Sequence, residues 1–299
     1  MKHYVDEHPE NSVCNLGTVP DAGLRSSLFR HDLGDWAERI LATEQHSILL
    51  QPDAPGHQIA RLGGRPRLAA GQVWPQSDDV PLAFVAELDL AAASSMLGDE
   101  VLPSAGLLQF FYDAEQEAWG FDPADRPKWR VLLTRGQAEE RDYPVTLPVH
   151  ARYDPVSLSG GREPTFPEWE SWHVERLGMD RDALHRYSEA LADWKNADHP
   201  MPGAIHRVLG HPDQIQGDMM VECQLAANGI YVGDASGYQR PGAEKLKSGA
   251  GDWRLLLQID SEQRAKMMWG DVGRLYYWIR DQDLRNRSWD RVWLVLQCS

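Results

Sequence analysis

Apolar and polar positions alternate with a period of two in several short stretches of this chain, and the same pattern occurs twice. Residues 82–90 (LAFVAELDL) and 106–113 (GLLQFFYD) return as 254–261 (RLLLQIDS) and 273–279 (GRLYYWI). A period of two marks a pleated strand. A third member follows each pair, WRVLLT at Trp129–Thr134 and DRVWLVL at 290–296. The predicted strands are 83–89, 107–112 and 130–134 in the first set, and 254–260, 274–279 and 291–297 in the second. The expected fold class is α+β, mostly antiparallel β-sheet with internal duplication of a three-stranded meander, flanked by a few helices. Simple alternation places Phe84, Ala86 and Leu88 on one face of the first strand, and Val85, Glu87 and Asp89 on the other. Connections of ten to sixteen residues exceed what tight hairpins need, so they are expected to carry packing or a site.

Helical spacing is clearest at 180–196, where Leu184, Tyr187, Leu191 and Trp194 share a face and Asp180 suits an N-cap. Residues 23–43 predict a helix broken at Gly34, with Asp35 capping the second piece. SILLQ (47–51) predicts a strand stopped by Pro52. Residues 1–22 read as a loosely held leader. The segment 61–75 (RLGGRPRLAAGQVWP) reads as a loop with fixed turns. The proline-rich stretch 136–172 reads as an irregular connection with at most short strands such as VTLPVHA. HRVLGHPDQIQ (206–216) reads as a helical turn ended by Gly210 and Pro212, MMVECQLA (219–226) as a strand, and 228–252 as a mobile surface loop.

With 42% hydrophobic and 25% charged residues, the chain can bury a sizeable core. No apolar run approaches the roughly 20 residues that span a bilayer, and no secretion signal is visible at the start, so no membrane partner is expected. Cys14, Cys223 and Cys298 lack metal-type spacing and suit a reducing compartment; the expected location is cytoplasmic. A net charge of −15 without a basic cluster predicts no nucleic-acid partner and would steer a basic one. Twelve tryptophans supply core and, at some positions, an aromatic binding surface.

Superposing the two sets places Glu87 on Gln258, Asp89 on Asp260 and Arg130 on Arg291. If the meanders face one another, these polar positions line a shared groove with Trp269, Tyr276, Trp278 and Trp293, a lining suited to a polar ligand or a peptide. The plainer alternative is a set of exposed cross-strand ion pairs, Glu87 with Arg130 and Asp260 with Arg291, worth under about 1 kcal/mol each. WGDVG (269–273) sets Asp271 between two glycines in a turn. His199, His206 and His211 have no zinc-type spacing, so neither a metal nor a cofactor is expected, and no catalytic signature is present.

The motifs LGGRPRLAAGQVWP (62–75), PLAFVAELDL (81–90), LPSAGLLQFFYD (102–113), HRVLGHPDQIQ (206–216), LLLQIDS (255–261), WGDVGRLYYWI (269–279) and the final VLQC (295–298) together resemble the YwqG-like family, a domain of unknown function. The resemblance covers about four fifths of the chain. It implies an α+β fold rich in antiparallel sheet with internal duplication, and it carries no established activity. The chain departs from the family pattern at Leu68-Ala69, His211 and Glu87. The expected organisation is a leader, helix and strand over 1–60, then a single YwqG-like domain over 61–299, built from halves near 61–135 and 200–298. The leading functional expectation is a non-catalytic binding protein that recognises a protein partner or small polar ligand between the halves, with Glu87, Asp89, Arg130, His206, Gln258, Asp260, Trp269, Asp271, Tyr276, Trp278 and Arg291 as binding residues. The alternative is a hydrolase using Asp260, Asp271 and His206.

Overall fold

The computed structural model describes residues 23–299 apart from 53, 99–100 and 199–202. The expected leader at 1–22 and His199 lie outside the described residues. Ten strands form one antiparallel sheet: β1 (Gln45–Pro52), β2 (Ala60–Leu62), β3 (Ala83–Asp89), β4 (Leu107–Tyr112), β5 (Trp129–Thr134), β6 (Val156–Thr165), β7 (His206–Val208), β8 (Trp253–Asp260), β9 (Arg274–Arg280) and β10 (Trp293–Gln297). Their spatial order is β10-β9-β8-β7-β1-β6-β2-β3-β4-β5. The long pair β1–β6 forms the middle, and each side continues through a three-residue strand into one of the two meanders. The fold is α+β, as expected.

The sheet curls until its ends meet, giving a nearly closed barrel. Trp129 on β5 donates its Nε1–H to the Val292 carbonyl at 2.9 Å, and Trp293 on β10 donates to the Gly120 carbonyl at 3.0 Å. The two indoles meet edge to face with centroids 5.0 Å apart. The Leu296 amide donates to the Trp119 carbonyl. Closure of this kind leaves fewer unpaired backbone groups at the sheet edges. Inward-facing side chains such as Val85, Leu88, Phe110, Leu257, Ile259 and Tyr277 fill the interior as one core.

Both meanders carry a β-bulge at the same step, between Phe84 and Ala86 in β3 and between Leu255 and Leu257 in β8. An extra residue switches the faces on either side of it. Strict alternation therefore assigned Phe84 wrongly. Val85 joins Ala86 and Leu88 in the main core, while Phe84 packs outside with Leu82, Phe111 and Trp74. Downstream of the bulge, Glu87 pairs with Gln109 and Gln258 with Tyr276, so the two positions are equivalent in register.

Helices α1 (Leu24–Arg30) and α2 (Gly34–Leu41) pack on the long helix α4 (Arg181–Asp198) in a separate core around Leu28, Ile40, Tyr187 and Leu191. Helix α3 (Leu90–Leu97) lies between them in the chain; Asp89 caps its start by accepting from the Ala91 and Ala92 amides. Asp180 caps α4 through the Ala183 amide at 2.8 Å, as the sequence predicts. The break between α1 and α2 is at Asp32, whose φ is 52°, and Asp35 sits inside the first turn of α2.

Four segments differ from expectation. The stretch read as irregular contains β6, a ten-residue strand paired along β1 from Gln45–Thr165 to Pro52–Leu158. Residues 206–208 form strand β7, and 220–226 form helix α5 (Met220–Ala226). The expected loop at 228–252 contains short helices at Ala235–Tyr238, Ala243–Lys247 and Ala250–Asp252. Among the described residues, no helix is long and apolar enough to cross a membrane.

Candidate functional site

The polar positions singled out in the strands do not face an open groove. After β2 the chain turns at Gly63 and Gly64, with φ of 53° and 71°, and crosses over the outside of its own meander. After β7 it turns at Leu209 and Gly210, with φ of 58° and 74°. These crossings cover Glu87, Gln258 and Tyr276, which are 1%, 0% and 0% exposed.

Under the first crossing, Glu87 accepts from the Arg67 amide at 3.2 Å and from Arg67 Nε at 2.7 Å. Gln109 donates to the Arg67 carbonyl and to Glu87, and Arg61 stands 3.7 Å from Glu87. Under the second, Gln258 accepts from the Asp213 amide at 2.9 Å, and the Tyr276 hydroxyl donates to the Asp213 carbonyl at 2.8 Å. Arg207 donates to Asp213 through Nε and one terminal nitrogen, and its other terminal nitrogen meets Glu163 and Ser47. Burial works to raise the Asp213 carboxyl, but the positive fields of Arg207 and Lys195 overcome it and hold the group well below its usual range. Lys195, bonded to Glu168, is correspondingly raised despite its own burial. These networks anchor loops to strands, satisfying amides and carbonyls that the covered sheet face would otherwise orphan.

The expected cross-strand pairs are absent from this arrangement. Glu87 meets Arg67 and Arg61, and Asp260 meets Arg274 at 2.8 Å. Asp260 also accepts from the Ile205 and Ser261 amides. His206 is fully buried; its Nδ1 accepts from the Asp260 backbone amide, and its Nε2 lies 3.6 Å from Glu262. Asp271 is exposed on its turn, where the positive φ values fall on the flanking Gly270 and Val272. The three residues of the hydrolytic reading thus share no hydrogen bond between side chains: His206 reaches only the Asp260 backbone, and Asp271 faces solvent. Trp269 is buried, donating to the Asp260 carbonyl and packing on Tyr112 and Tyr153. Trp278 is 2% exposed. Asp89 is engaged as the α3 cap.

Arg130 and Arg291 have a different setting. Both lie at the seam where β5 and β10 approach, beside Arg126, although in register it is Trp293, paired with Trp278, that matches Arg130, paired with Phe111. Arg291 sits in a 3-10 turn just before β10. An open cleft of about 390 Å³ lies here, lined by Arg126, Asn228, Arg280, Arg291, Trp253 and Trp293, with Asp283 and Asp290 among its other walls. Arg126 donates to the Trp129 carbonyl at 3.4 Å and to the Asp290 carbonyl. Arg280 lies over the Trp253 ring, 5.0 Å from its centroid, and donates to Gln224 Oε1.

Two other clefts are less suited to recognition. One, of about 360 Å³, holds Arg61 and Arg67, which already face Glu87. The other, of about 530 Å³, has Pro52, Ala54, Pro55, Gly203 and Ala204 on one half of its lining, and on the other Arg264 and Glu262 with Gln51, Ser261 and Gln263. Its Glu262 carboxyl is held below the ordinary value, chiefly by His206.

Arg126, Arg280 and Trp253 were not singled out from the sequence. The one available signal was for Arg126, which precedes the third strand of the first meander as Arg291 precedes that of the second; nothing comparable marked Arg280 or Trp253. No curated protein matches this chain. A family model described as a domain of unknown function, DUF1963, matches residues 60–298, and the chain belongs to that family.

Proposed function

We propose that this protein is a non-catalytic binding protein whose small polar ligand lies in the cleft at the seam of the sheet. The observation that carries the reading is the convergence of Arg126, ahead of β5, with Arg280 and Arg291, around β9 and β10, on one open cleft beside Trp253 and Trp293. The position supports the expectation of a site between the halves, with Arg291 as the shared residue. A volume near 390 Å³ suits a small molecule better than a protein surface. Among the described residues lining it there is no histidine, cysteine or serine, and its carboxylates, Asp283 and Asp290, stand beside arginines. A cytosolic setting is supported by the free, buried thiols of Cys223 and Cys298. We also read the meanders as copies of one ancestral unit, supported by the matching bulges and by loop crossings that begin at the same step.

Saturation-transfer NMR of a library of small polar metabolites tests the reading, using wild type against Arg291→Ala and Arg126→Met. Arg291 is exposed, so its replacement leaves the core intact. Ligands whose signal is lost in both variants support the site. Ligands bound equally by all three proteins overturn it.

A further inference from the structure

We infer that the seam cleft recognises an organic oxyanion, a carboxylate or a phosphate monoester; the inference rests on the cleft being the ligand site. The argument is one of unmatched charge. Most other buried or half-buried arginines in the sheet or the chain crossing it face a carboxylate: Arg61 and Arg67 face Glu87, Arg207 faces Asp213 and Glu163, Arg254 faces Asp281, and Arg274 faces Asp260. At the seam the partners are neutral. Arg126 is held by two backbone carbonyls, and Arg280 by an amide oxygen and an indole face. Such partners fix the orientation of a guanidinium and leave its charge uncancelled.

Arg291 comes within 4.0 Å of Asp290, but both side chains are more than two-thirds exposed, at 70% and 75%. A pair so exposed is weakly coupled and readily exchanged for a ligand. Burial lowers the pKa of Arg126, and the charges of Arg130 and Arg291 lower it further against the opposing field of Asp290. The like charges are therefore crowded in a partly desolvated place. The lining sets three guanidiniums against the carboxylates of Asp283 and Asp290, with Arg130 close by, in a chain whose net charge is −15. A local excess of positive charge on so acidic a protein selects anions at that point and repels them elsewhere. The guanidinium fork matches the paired oxygens of a carboxylate or phosphate, and a ligand of this class would supply the counter-charge that the fold withholds.

Titration calorimetry with inorganic phosphate, tricarballylate, the neutral polyol xylitol and the dication putrescine tests this, on wild type, Arg126→Met and Arg291→Met. Phosphate or tricarballylate is expected to bind, with affinity reduced about tenfold or more in each variant and weakened by added salt. The stronger of the two anions identifies which oxyanion the cleft prefers. If xylitol or putrescine binds in a way that both variants abolish, and neither anion binds, the cleft stands as a site and the oxyanion inference falls. If the anions bind equally to all three proteins, the cleft itself falls. If neither anion nor any other probe binds at millimolar concentration, the oxyanion inference also falls.

Discussion

Replacing Glu222 by glutamine should change how stability depends on pH. Glu222 lies on α5, whose C-terminal end leads to the seam cleft. Its side chain is buried at 7% exposure, and Oε1 has no hydrogen-bond partner. Asp218, Cys223 and Tyr238 are its titratable neighbours. Burial first, and then the charge of Asp218, push the Glu222 carboxyl up to about 8 from an ordinary 4.5. The folded chain thus keeps a proton that the unfolded chain releases between those values. Stability from this group is present below the ordinary value and is lost as pH rises through the window. At about 1.4 kcal/mol per pH unit, the loss has a ceiling of about 5 kcal/mol. Glu222→Gln keeps the shape and removes the charge. The cost of burying its amide, about 1–3 kcal/mol, is the same at every pH. Urea unfolding of both proteins from about pH 5 to pH 9 should show the variant gaining on wild type by about 2–5 kcal/mol across the range. Two parallel stability curves would refute the reasoning, whatever their offset.

Gly160→Ala should destabilise by about 2 kcal/mol or more, because a Cβ there would run into the Leu49 carbonyl oxygen, while Gly161→Ala meets nothing within 4 Å and should be nearly neutral; thermal melts of the pair check the β1–β6 packing. Asp213→Asn should cost about 3–5 kcal/mol near neutral pH by leaving the buried Arg207 and Lys195 short of a counter-charge. Since the folded carboxyl titrates below its unfolded value, that deficit should shrink as pH falls into the acid range, which denaturant titrations would follow. Trp129→Phe removes the bond to the Val292 carbonyl and should cost about 1–2 kcal/mol, with faster hydrogen exchange at the Leu296 amide if the seam loosens as described.

The meanders were legible in the sequence because the same order of apolar, polar and aromatic positions occurs twice along the chain. Strand β6 was hidden, because Pro155 precedes it, Gly160, Gly161 and Pro164 punctuate it, and only two of its ten residues are buried. Its long pairing with β1 is a tertiary fact that local pattern does not encode. Strand β7, three residues long, sat ahead of Gly210 and Pro212 and so resembled the end of a helix. The bulges at Val85 and Leu256 were invisible to a strict period of two, which put Phe84 on the wrong face. Residue type showed that Glu87, Gln258 and Asp260 were polar and equivalent in spacing. It could not show that the chain after Gly64 and Gly210 folds back over them. The seam cleft was harder still, since Arg126, Arg280 and Arg291 come together only when the sheet curls and its ends meet.

The central claim is that the seam arginines hold an oxyanion, and a crystal structure of the protein grown with tricarballylate or phosphate tests it most directly. The account predicts an oxyanion within hydrogen-bond distance of Arg126 and of Arg280 or Arg291, held against the wall formed by Trp253 and Trp293. An empty seam at saturating concentration, or the anion bound elsewhere on the surface, would contradict it.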